Sequence, residues 1–86
     1  MNITFTQIGW NDYVYWQTQD KRTIKKINKL LKSIESNGAL IGEGKPEFLK
    51  YIRAYSRKID EANRLVYKMT STDIIVLACQ GHYDDK

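Results

Sequence analysis

Glu47, Arg64 and His82 are the residues of this 86-residue chain whose types can together break a phosphodiester. Cleaving RNA without a metal takes three groups: a base for the 2′-hydroxyl proton, a cation for the charge that develops on the phosphate, and an acid for the leaving 5′-oxygen. Glu47 stands in "GKPEFLK" between Lys45 and Lys50, where cations favour the approach of a phosphate. Arg64, in "NRLVY", offers a planar fork for phosphate oxygens. His82 is the only histidine, and an imidazole titrates close to neutrality. Its neighbour Tyr83 can stack on a base or donate to a phosphate. Taken singly, each has a plainer reading: a solvated loop glutamate, a cross-strand ion pair, a surface histidine, an aromatic that closes a sheet edge.

Length and composition bound what can position these groups. A chain of this size is expected to form one domain, residues 1–86, around a single modest core. Its one cysteine, Cys79, allows no intrachain disulfide and suits a reducing cytoplasm. One histidine and one cysteine are too few for the usual transition-metal sites, so neither metal nor cofactor is expected. There is no apolar run near 18 residues and no signal-like N-terminus, so neither membrane spanning nor secretion is expected. Net charge is +4, and six of the fourteen basic residues (Lys21, Arg22, Lys25, Lys26, Lys29 and Lys32) fall in one stretch without an acid. An ordinary solvated helix face mixes Glu with Lys, so this stretch points to nucleic acid or an acidic protein.

"NITFTQ" alternates apolar and polar residues as a short strand does. From Gly9 to Gln19, Trp10, Tyr13, Val14 and Trp16 recur at helical spacing. They suit core packing better than base stacking, and an exposed Trp10 or Trp16 would mark a homodimer surface. A second helix follows, with Asp20 as its cap, a stripe of Ile24, Ile27, Leu30, Leu31 and Ile34, and an "NG" stop at Asn37–Gly38. Residues 38–50 read as a loop, and strands are expected over 55–59, 64–69 and 74–80, joined by turns at "DEAN" and "TSTD". The fold class is α+β, in the order β-α-α-β-β-β, with two N-terminal helices packed on one face of a twisted antiparallel sheet. Period-two parity then gathers Arg64, Lys58 or Arg57, and His82 on the face without helices, with Ile74, Val76, Ala78 and Gln80 sharing a face with His82.

The blocks "WNDYVYWQTQDKRTIKKINKLLK", "GEGKPEFLK", "NRLVY" and the terminal "HY" resemble the YoeB/Txe branch of the RelE superfamily, over nearly the whole chain. The resemblance implies a fold like that of small microbial ribonucleases. It also implies an endoribonuclease toxin that cuts messenger RNA in the ribosomal A site and is silenced by a YefM/Axe-like antitoxin. Carried across, it makes Glu47 the general base, Arg64 the phosphate-stabilising cation and His82 the general acid, with Lys50 and Tyr83 placing RNA. Lys25, Lys26 and Lys29 would face ribosomal RNA. Arg57 and Lys58, in "SRKI", are expected at the phosphate, although Lys58 stands where the family commonly has arginine and lacks its fork. The stretch "KYIRAYSRK" lacks the family's glycine-aromatic turn, and Arg53 or Arg57 could compensate for the altered path. The tail "DDK" sets Asp84 and Asp85 near His82, favouring its protonated form while repelling phosphate. Two other readings stay open: a non-catalytic member that only binds ribosome or antitoxin, and a small DNA-binding regulator.

Overall fold

The computed structural model describes residues 1–81 and contains seven elements. They are β1 (Asn2–Phe5), α1 (Gln7–Gln19), α2 (Lys21–Asn37), β2 (Glu47–Leu49), β3 (Ala54–Lys58), β4 (Arg64–Met69) and β5 (Asp73–Ala78). Both helices begin where the sequence supplies a side-chain acceptor. Thr6 accepts from the Gly9 amide at 3.0 Å, and Asp20 accepts from the Arg22 amide at 3.0 Å. These acceptors satisfy amides that the first helical turn leaves unpaired. The same contact to Arg22, followed by one to Thr23, holds the Asp20 carboxyl below its usual range. Gly38, at φ 90°, ends α2.

One sheet in the order β1-β5-β4-β3-β2 carries both helices on one face. The α+β architecture expected from the sequence is present, with two differences. Within the span 38–50, Glu47–Leu49 pairs antiparallel with β3 and adds a fifth strand. At the other edge β1 lies parallel to β5, so the sheet is mixed rather than wholly antiparallel. Side-chain alternation reports which faces are buried and is silent on strand direction.

The core lies between α2 and the sheet. Ile27, Leu30, Leu31 and Ile34 meet Leu65, Tyr67, Ile74 and Val76. α1 packs closer still, because Gly9 rests on the Val76 carbonyl. A β-carbon at residue 9 would collide with that oxygen, which is backbone and cannot swing away. Gly9→Ala is therefore expected to destabilise the fold by about 1–3 kcal/mol. For a domain this size that is a fall of roughly 4–8 °C in Tm per kcal/mol, readable by thermal melting.

The burial of Ile74 and Val76 against the helices corrects their expected place on the open face. A bulge explains the difference. Tyr67 pairs with Val76 but Val66 pairs with Ala78, so Leu77 is an extra residue in β5. Beyond it the alternation inverts. Leu77 and Ala78 pack on the open face with Leu49, Ala54, Val66 and Ile52, and Cys79 turns into the helix-side core. There burial pushes its thiol up to about 12, with Asp12 adding to the shift, so Cys79 is a packing residue and not a nucleophile.

Candidate active site

On the open face, pairing sets Glu47 of β2 beside Ser56 of β3, and Lys58 of β3 beside Arg64 of β4. Three side chains meet. Arg64 Nη1 lies 3.3 Å from Glu47 Oε1 and donates to Ser56 Oγ at 3.3 Å, and Ser56 Oγ donates to Glu47 Oε1 at 3.3 Å. The structure thus joins two of the three residues chosen from sequence and adds one that was missed. Ser56 is fully buried and touches both. Its only signal in the sequence is shared parity with Lys58, and without β2 there was no strand to bring Glu47 alongside.

The resting pair is easily opened. The Glu47 side chain is 52% exposed and that of Arg64 is 18% exposed. An ion pair with one partner so well hydrated contributes only about 0–1 kcal/mol, so an incoming phosphate can take the guanidinium and leave the carboxylate free as a base.

Backbone contacts bring the end of β5 to this cluster. Arg64 N donates to Gly81 O at 2.9 Å, and Gly81 N donates to Asn63 Oδ1 at 2.8 Å. Upstream, Trp16 Nε1 donates to Cys79 O at 2.8 Å and Cys79 N donates to Asp12 Oδ2 at 3.0 Å. The residue before His82 is therefore anchored on the backbone of Arg64. His82 and Tyr83 themselves lie outside the described residues, as do Asp84 and Asp85.

The remaining expected contacts divide. Lys58, at the end of β3, donates to Glu61 of the "DEAN" turn at 2.6 Å, and this bond holds the Glu61 carboxyl below its usual range. Lys50 stacks over Tyr51 at 5.4 Å from the ring centre. Arg57 is corrected outright: it is fully buried on the helix side and cannot meet a phosphate. Its Nε donates to Tyr67 Oη, its Nη1 to Ser33 Oγ and Glu43 O, and its Nη2 to Gly38 O and Ile41 O, all within 2.8–3.0 Å. Tyr67 in turn donates to Ala39 O at 2.6 Å, and burial lifts its hydroxyl above the ordinary phenol range, which keeps that proton in place. Arg57 is the post around which residues 38–44 wrap. Gly42, at φ 121°, passes where a β-carbon would meet Ser33 Oγ and the Arg57 guanidinium.

Residues 5–83 match the YoeB-like toxin family of bacterial type II toxin–antitoxin systems. The chain belongs to that family. It is 42% identical to Toxin YoeB of Escherichia coli K12 over 85 residues, covering 96% of this chain and all of that one. The structure of a YoeB dimer from Staphylococcus aureus matches with a TM-score of 0.92 at 49% identity, covering 96% of this chain and 98% of that one. A heterotetrameric YoeB–YefM complex from the same species matches at a TM-score of 0.90 and 49% identity, over the same shares of both chains.

The YoeB-like fold carries its basic ridge on α2, away from the cluster. Lys21, Arg22, Lys25, Lys29 and Lys32 are exposed there. The ridge is less purely basic than the sequence of α2 alone, because Glu43 swings in from the Arg57-held loop. It binds Lys26 at 2.5 Å and approaches Lys29 at 3.7 Å. Lys26, ahead of Lys29, holds the Glu43 carboxyl below its usual range.

Ser56→Ala tests how far the middle of the cluster matters. It removes one hydrogen bond to each neighbour and leaves the Glu47–Arg64 contact in place. Net losses of about 1 kcal/mol or less per hydrogen bond predict a fall in Tm of roughly 4–16 °C. A thermal melt of the variant beside the wild type checks it.

Proposed function

We propose that this chain is an endoribonuclease toxin that cuts messenger RNA in the ribosomal A site, inhibits translation, and is neutralised by a YefM-like antitoxin. The observation that carries this reading is the Glu47–Ser56–Arg64 cluster on the open face of a YoeB-family chain. In the proposed reaction Glu47 takes the proton of the 2′-hydroxyl, whose oxygen forms a bond to phosphorus. Arg64 bears the charge gathering on the phosphoryl oxygens. The P–O5′ bond breaks, and His82 gives its proton to the leaving 5′-oxygen. The chemistry draws on no metal.

The ribosome's part is orientation. In-line attack needs the 2′-oxygen, phosphorus and 5′-oxygen nearly collinear, and holding reactants in such geometry can supply about 7–11 kcal/mol of a barrier. The ridge of exposed Lys25 and Lys29, with half-buried Lys26 held by Glu43 between them, supports docking on ribosomal RNA, and such contacts make binding salt-sensitive. Two partner proposals follow. An acidic antitoxin segment lies over the basic surface, in keeping with the YoeB–YefM complex of the relative. A homodimer forms through α1 and β1, where Trp10 is 48% exposed and clusters with Phe5 and Tyr13. The site of action is the cytoplasm.

Mapping messenger 5′ ends by primer extension in a purified translation system tests the reading. Cuts at A-site codons that need ribosomes and fade in Glu47→Ala, Arg64→Ala and His82→Ala are expected. Intact ribosome or antitoxin binding without cuts would overturn the catalytic reading in favour of a binding-only member.

A further inference from the structure

Beside the cluster the open face forms a groove of about 280 Å³ lined by Ile8, Ile52, Val66, Leu77, Ala78, Gln80 and Gly81. No acid lines it. Arg64 stands at one end, through its backbone contact with Gly81. Toward the other end, continuing the register that pairs Tyr55 with Tyr67 sets Ala54 level with Lys68 of β4, so Arg53, the residue before β3, lies diagonal to Lys68 in backbone register. Lys68 shares the open face with Arg64 and Val66 by alternation. Both Arg53 and Lys68 are exposed, and neither side chain makes a hydrogen bond or ion pair among the described residues.

Arg53 also sits in the left-handed region at φ 53°. It closes the turn 50–53 between β2 and β3, a place where glycine is free of strain and arginine is not. Arginine there carries a backbone strain that glycine would not, next to Ile52, which lines the groove.

We propose that Arg53 and Lys68 form a second phosphate-contacting pair that holds the RNA strand at a phosphodiester away from the cut. The proposal rests on the reading of Glu47 and Arg64 as the cleavage site. Lys68 lies four positions along β4 from Arg64, about 13 Å at strand rise, which matches phosphates a few nucleotides apart on a single strand. The apolar floor between them suits bases, and the cationic ends suit the backbone. A pair acting this far from the scissile bond adds binding shared by ground and transition states. It therefore acts on KM and leaves kcat alone.

The test uses full-length protein and ribosomes programmed with a labelled messenger, comparing Arg53→Asn, Arg53→Gly, Lys68→Gln and Arg64→Ala. Asparagine and glycine both tolerate the left-handed backbone, so the Arg53 variants should melt at or above the wild-type temperature. They and Lys68→Gln should raise KM about 5-fold each with kcat within 2-fold. Each should also flatten the log–log dependence of binding on salt by about 0.7, read with a messenger carrying a 2′-deoxynucleotide at the cut. Unchanged KM and salt slope, with Arg64→Ala inactive in the same assay, would overturn the second pair alone. Weaker capture of an acidic antitoxin with RNA kinetics unchanged would overturn it too, by making the rim a protein contact. Wild-type cleavage by Arg64→Ala would overturn the reading of the site on which the pair rests.

Discussion

Arg64→Ala is expected to lower A-site cleavage by about 10²–10³-fold while the protein stays folded. Removing one preorganised donor from a developing oxyanion costs that much where the donor is held in place, and Arg64 is held. Its backbone amide is tied to Gly81, its side chain is mostly buried, and Ser56 fixes one of its nitrogens. Glu47→Gln, which keeps the shape and removes the base, should lose about 10²–10⁴-fold by the same assay. Because the two residues serve one transition state, the double variant should fall little below the worse single one. Arg64→Lys should recover only part of the rate, since an ammonium cannot grip two phosphoryl oxygens as a fork does. The pair contributes little to stability, so the melting temperatures of these variants should stay close to wild type, and the loss is then chemical. Single-turnover cleavage on programmed ribosomes, at saturating enzyme, measures it. Rates within a few-fold of wild type for both variants would end the acid–base account.

How much of this was legible depends on which physical signal each residue leaves. Asp20 and the Ile27–Leu30–Leu31–Ile34 stripe announce α2 because a cap and a 3.6-residue period are local. The choice of Glu47 and Arg64 drew on charge and resemblance, and the sheet that joins them was only half visible. β2 is three residues long, follows Pro46 and lies at an edge, so it shows no run long enough to alternate. The bulge at Leu77 is invisible in an unbroken apolar stretch, yet it decides which residues near the end of β5 face the site. Ser56 had no pattern to mark it until β2 was in place. Arg57 misled for a different reason. Most of its partners are oxygens without net charge, chiefly backbone carbonyls of a loop, and carbonyls carry no letter in the sequence. Its parity with Tyr55 was the available clue, since Tyr55 packs on the helix-side core.

Replacing Arg57 tests that last assignment with the largest expected loss of stability. Arg57→Ala removes a fully buried guanidinium and strands the oxygens of Gly38, Ile41, Glu43, Ser33 and Tyr67 that it served. Hydrogen bonds to a charged donor contribute about 1.5–3 kcal/mol each, offset by the cost of burying the charge, and breaking such a centre from one side typically costs about 3–5 kcal/mol. A domain of this length holds about 4–13 kcal/mol in all, so the variant should melt about 15–30 °C lower or fail to fold near 37 °C. Arg57→Met should fare almost as badly despite its volume, because the oxygens stay behind without donors. Arg57→Lys should be intermediate, since an ammonium has three donors for five acceptors and no planar fork. Thermal and urea unfolding followed by circular dichroism give the order Arg, Lys, then Met and Ala. The decisive comparison is functional: at a temperature where Arg57→Lys is folded, its KM and the salt slope of RNA binding should equal those of the wild type. An arginine at the phosphate would behave in the opposite way, with melting unchanged and KM raised, so the two roles cannot be confused.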